Sequence, residues 1–119
     1  MLEPTGLEAL GLNVEEGLAN CTGDPEFYEE MLAEYVRGSE AGLEQLQRDF
    51  DCQDWADYRI RVHSLKNTSR IIGATALSGQ AYRLETAAKE TDTAVLLAEH
   101  APFLADCRAL ISGIRRIVG

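Results

Sequence analysis

The apolar residues of this chain recur at steps of three and four. From Tyr28 onward, Leu32, Tyr35, Ser39, Leu43, Leu46 and Phe50 fall on one face of a helix. Alternation at steps of two, the mark of a half-buried strand, does not recur, and β-branched runs are missing. The pattern predicts an all-α protein.

Start and stop signals divide this pattern into elements. Asn13 suits the N-cap of a short first helix, with Glu16 three residues on as in a capping box, and the helix should end between Cys21 and Gly23. Asp24, Pro25 and Glu26 then form a sharper start: a cap, a proline at the first helical position and an acid in the first turn. The helix they open runs for about 26 residues, roughly 39 Å at 1.5 Å per residue. Gly38 and Gly42 weaken it by about 1 kcal/mol each relative to Ala, so tertiary packing must hold it together.

Residues 51–54 make a turn, Asp54 caps a third helix that runs to about Ile72, and Gly73 suits the left-handed position that closes it. A fourth helix starts near Thr75 with Leu77, Ala81, Leu84 and Ala88 as its stripe. Asp92 or Thr93 opens the last region, whose apolar set is Leu96, Phe103 or Leu104, Cys107, Leu110 or Ile111, Ile114 and Val118. Pro102 lies inside that set and predicts a kink or a break, with a fresh start after His100. Short connections make neighbouring long helices antiparallel. The expected fold is an antiparallel up-and-down four-helix bundle with an additional short N-terminal helix across it, one domain over residues 1–119.

The third helix raises a question of direction. With His63 at zero and about 100° per residue, Trp55, Tyr58, Val62, Leu65, Ser69 and Ile72 fall between about 180° and 280°. That stripe is the core face, and His63 lies roughly 130° from its centre. The imidazole should therefore face solvent. Arg59, Lys66 and Arg70 flank it on one side, and Ala56, Ile60, Asn67 and Ile71 on the other.

Composition sharpens this reading. The chain carries 20 acidic and 11 basic residues, a net charge of −9, so the cations around His63 run against the average. Such a balance argues against nucleic acid and anionic membrane surfaces as partners. No apolar run approaches the ~20 residues of a bilayer-spanning helix, and MLEPTGLEALGLN has no secretion-signal pattern. Cys21, Cys52 and Cys107 are widely spaced and read as reduced packing thiols, with no metal-ligand spacing. A cytoplasmic protein is the expectation, and a monomer, because the bundle can close on itself. His100, beside Pro102, reads as structural or surface.

An accessible imidazole among cations suits phosphoryl chemistry. A free histidine imidazole is mostly neutral at pH 7 and so offers a nucleophilic nitrogen, and in-line attack requires that nitrogen to stand clear of the surface. Charge-assisted bonds from Lys66, then Arg70, then Arg59 would neutralise the phosphoryl oxygens, at about 1.5–3 kcal/mol each. There is no Gly-rich phosphate loop, no Ser-His-Asp set with its elbow and no HExxH. The chain has no ATP site of its own, needs no cofactor beyond magnesium supplied by a partner, and would act as a phosphoryl carrier. A purely structural bundle with a solvated basic face is the competing reading of the same spacing.

The run HSLKNTSRIIGA, followed by Leu77, Ala81, Leu84, Glu85 and Ala88, resembles the histidine-containing phosphotransfer (HPt) domain of bacterial multistep phosphorelays. That family's motif runs His-x-x-Lys-Gly, then Gly-Ala, then a helix with Leu and Leu-Glu. GLNVEEGLANCTGDPEFYEEML and DWADYRIRVHSLK resemble its upstream segments, so the likeness covers nearly the whole chain. The resemblance implies His63 as phosphoacceptor, Lys66 as the cation beside the phosphate and Gly73 as the end of the histidine helix.

The chain departs from the motif at Asn67, where the family usually has Gly. Asn is compact and polar, able to hydrogen-bond the ring or the phosphate, and able to slow transfer or narrow partner choice. The implied partners are response-regulator receiver domains, docking over Arg59, Ile60 and Ile71, with a hybrid histidine kinase as a further candidate. Three functions stay open: a phosphorelay intermediate between receivers, a receiver-binding module that has lost transfer, and the phosphoacceptor domain of a larger histidine kinase.

Overall fold

The computed structural model describes residues 4–118, and all the regular structure among them is helical. Six helices follow in order: α1 Pro4–Ala9, α2 Val14–Asn20, α3 Pro25–Asp51, α4 Trp55–Ile71, α5 Thr75–Glu90 and α6 Thr93–Val118. The last four form the bundle. α3 packs on α4 and α6, and α5 packs on the same two, closing a four-membered ring. Neighbours run antiparallel, as cross-links at staggered positions show: Asp49 to Arg61 and Tyr35 to Ser69 join α3 to α4, while Arg83 to Glu99 and Gln80 to Asp106 join α5 to α6. The body measures 43 × 22 × 20 Å, its long axis set by α3.

Caps place the helices where the sequence signals said. The Asn13 side chain accepts from the Glu16 N–H at 3.0 Å, the Asp24 side chain from the Glu26 N–H at 3.0 Å, and the Asp54 side chain from the Asp57 N–H at 3.2 Å. Tyr28, Leu32, Leu43, Leu46, Tyr58, Val62, Leu84, Leu96, Phe103 and Ile114 fill the core. Every buried side-chain polar atom among the described residues has a partner.

Three features differ from the sequence expectation. Two short N-terminal helices precede the bundle where one was expected. α1 is only a turn and a half long, yet it buries Leu7 completely and packs on α6. At Pro102 the expected break does not occur, and α6 continues through it. The proline and Ala98, the residue whose carbonyl loses its bond, both face solvent, so water can satisfy the freed oxygen while Leu96 and Phe103 stay buried on either side. Cys52 is exposed at the α3 C-cap, whereas Cys21 and Cys107 are packed and burial pushes the Cys107 thiol up to about 12.

His100 is the buried histidine. Its ring stacks on Phe50 at 3.9 Å between centroids, Nδ1 lies 2.9 Å from the Tyr58 hydroxyl, and Nε2 lies 3.0 Å from Gln47 Oε1. Tyr58 donates and Gln47 accepts, so the ring is neutral and fully satisfied. Burial holds its pKa down at about 4.

The α4–α5 turn is the tightest constraint. Gly73 has φ +88°, and a Cβ there would overlap the carbonyl of Asn13, whose own N–H donates to Gly73 O at 2.8 Å. α2 lies over this turn through Gly17, where a side chain would strike the Tyr28 ring and the Ile72 carbonyl, and through Asn20, which donates to the carbonyls of Arg70 and Ile71.

Two stability tests follow from this packing. Gly73→Ala should destabilise the fold by ~2 kcal/mol or more, from positive φ plus the clash, and thermal unfolding should show a melting point lower by roughly 8 °C. The His100 test concerns pH. In the folded state the proton is refused down to about pH 4, whereas the unfolded chain takes it up near pH 6.5. Stability is therefore intact above pH 6.5 and falls as pH drops toward 4. Denaturant titrations at pH 7 and 4.5 should show wild type losing about 2–3 kcal/mol more than His100→Gln. Equal losses would refute the buried neutral ring.

Candidate functional site

α4 has to bury Tyr58, Val62, Leu65 and Ser69, and that stripe turns His63 outward. Its side chain is 51% exposed, as the helical angles predicted. The ring is not bare, however. Nδ1 lies 2.6 Å from Glu85 Oε2 on α5, and the other oxygen of the same carboxylate accepts from Lys66 Nζ at 2.7 Å. On the opposite side of the ring, Nε2 lies 3.3 Å from the Asn67 amide nitrogen. Lys66 Nζ also stands over the Tyr82 ring, 5.4 Å from its centroid.

Glu85 organises this cluster. Burial alone would raise its pKa, but the hydrogen bonds from Lys66 and then His63 outweigh that and hold it below the usual carboxylate range. An ionised carboxylate only accepts, so the proton between the two groups belongs to Nδ1. Nε2 is then the unprotonated nitrogen, the one beside the Asn67 amide. The Lys66 ammonium has two further N–H donors beyond the one given to Glu85, so an arriving anion can be met without breaking that bond.

The other expected residues take different places. Arg59 and Arg70 are exposed, and neither has a carboxylate within ion-pair distance among the described residues. Both lie within about 40° of His63 around the helix, one turn before it and two turns after. Ile60, 68% exposed, borders the ring one turn earlier. Ile71 is half-buried and lines the groove between α3 and α4 with Met31 and Tyr35.

Sequence reasoning did not single out Glu85 or Tyr82 as site residues. Their signal is faint but present. Ser78, Tyr82 and Glu85 recur at steps of four and three along α5, just off its apolar stripe, and Ser78 donates to the Lys66 carbonyl.

The Hpt domain family matches residues 30–117, spanning the histidine helix and nearly all of the bundle. The chain belongs to the Hpt domain family. No curated protein and no solved structure matches it. As an Hpt domain it is a histidine phosphotransfer module of phosphorelay signalling, a family that works with receiver domains and histidine kinases. Among the described residues no helix is long and apolar enough to cross a membrane.

If Glu85 sets the tautomer of this Hpt domain, long-range 1H–15N spectra should show the proton of neutral His63 on Nδ1. Glu85→Ala should move it toward Nε2, the form an unconstrained neutral histidine side chain prefers. An unchanged pattern in the variant would assign the tautomer to something else.

Proposed function

We propose that His63 is the phosphoacceptor and that the domain is a phosphorelay intermediate. It takes a phosphoryl group from the aspartyl phosphate of one receiver domain and passes it to another. The observation that carries this reading is the half-exposed imidazole with Nδ1 bonded to an ionised carboxylate. In the transfer, the Nε2 lone pair forms a bond to phosphorus as the P–O bond to the receiver aspartate breaks, and that aspartate leaves with the electron pair. The ring becomes positively charged, and Glu85, 2.6 Å from Nδ1, offsets that charge. Lys66, with Arg59 and Arg70 nearby, supplies donors to the phosphoryl oxygens. Magnesium, in this reading, comes with the receiver.

The docking surface would be the rim of the same face. Ile60 and Tyr82, 68% and 60% exposed, give it apolar anchors on two helices, and Arg59 and Arg70 give it charge opposite to an acidic receiver. A second reading, receiver binding without transfer, draws on Asn67, whose side chain occupies space beside Nε2 that the family motif leaves open.

One assay separates them. Incubation with a phosphorylated receiver and magnesium should label the wild type with an acid-labile, base-stable phosphate that His63→Gln lacks. Glu85→Ala should slow labelling roughly 10- to 100-fold, the worth of one charge-assisted hydrogen bond. Label that survives His63→Gln would sink the proposal, and receiver binding without label would establish the second reading.

A further inference from the structure

The two nitrogens of His63 are held unequally, at 2.6 Å by Glu85 and at 3.3 Å by Asn67. Because the carboxylate takes the Nδ1 proton as its hydrogen bond, Nε2 presents a lone pair, and an amide N–H beside it donates. Asn67 stands one turn after His63 on the same helix, so its reach to the ring is set by α4 alone and needs no partner. This is the nitrogen that a phosphoryl group would have to approach. We infer that Asn67 is a built-in cap on the nucleophile: its amide holds the His63 Nε2 lone pair in the resting protein and must turn away before that nitrogen can attack.

The inference rests on His63 as phosphoacceptor and adds a brake to it. As the N–P bond forms and the donor's bond to phosphorus breaks, no proton has to leave Nε2, because the lone pair was occupied only by a hydrogen bond. The cost is the loss of that hydrogen bond, and it falls on acceptance. A compact amide suits this role, being long enough to reach the ring and short enough to swing clear. Asn67 thereby acts on rate through the availability of Nε2, independently of which receiver delivers the phosphoryl group.

The test compares wild type with Asn67→Ala using two donors of different size, a phosphorylated receiver domain and phosphoramidate. In the second, the P–N bond breaks and the already protonated nitrogen leaves as ammonia. A cap internal to the chain predicts labelling about fivefold faster with both donors, the factor one neutral hydrogen bond supplies. Acceleration with the receiver alone would mean that Asn67 merely obstructs docking, and it overturns the cap. Unchanged or slower rates with both donors overturn it too. Long-range 1H–15N spectra supply a readout that labelling does not touch. The substitution should shift the His63 Nε2 resonance and leave Nδ1 in place, and an unmoved Nε2 is a negative result. Should wild type, Asn67→Ala and His63→Gln all fail to label, the phosphoacceptor reading fails, while the Nε2 shift still reports whether the cap exists.

Discussion

One carboxylate can bond to both His63 and Lys66 only while α4 and α5 keep their register. Glu85 reaches the imidazole with one oxygen and the ammonium with the other, and the two reaches are 2.6 and 2.7 Å. A slip of one residue along either helix is a displacement of about 1.5 Å, enough to break both bonds. The register is set by a three-residue turn, Ile72 to Ala74, that cannot relax: Gly73 is left-handed and pressed against the Asn13 carbonyl. Ser78 adds a tie to the Lys66 carbonyl at 3.1 Å, and small residues such as Ala81 and Ala88 on α5 let the helices approach closely. α2 therefore bears on the site at a distance, because it clamps the turn that aligns Glu85 with His63 and Lys66.

The chain contains two histidines, and their surroundings assign them opposite work. His100 is enclosed by Phe50, Tyr58 and Gln47, its two nitrogens fully used by neutral partners, and burial keeps it uncharged. His63 is half in water beside an ionised carboxylate, with one nitrogen firmly held and the other only loosely. The first arrangement stabilises a core and resists protonation. The second favours a ring that gains positive charge, which is what a phosphorylated imidazole does.

Much of this was legible in the sequence because it follows from period and caps. The Tyr28 to Phe50 stripe, the caps Asn13, Asp24 and Asp54, and the glycine at 73 are local signals, and each element lies where they put it. The outward direction of His63 followed from the same arithmetic. The misses are of another kind. α1 owes its place to a tertiary contact on α6, which a turn and a half of helix does not advertise. Pro102 is tolerated because of which way it faces. Glu85 is the main loss: the motif's Leu-Glu marked the residue, but its role depends on two helices meeting in one register, which periodicity along a single helix does not carry.

The unequal grip on the imidazole also bears on why a charged helper sits where it does. Had Lys66 stood on the Nε2 side, the Glu85 carboxylate would lack the ammonium bond that helps hold it ionised. Placed on the Glu85 side, it holds the carboxylate ionised, and the carboxylate in turn fixes the tautomer. The pair is nearly neutral together, so it does not draw a counter-ion over the ring in the resting state. In the proposed transfer, a ring that gains positive charge as phosphorus bonds to Nε2 already has a negative group at Nδ1. Orientation, tautomer and charge compensation thus come from one ion pair beneath the ring, which leaves the outer nitrogen to a single weak amide contact and to whatever partner displaces it.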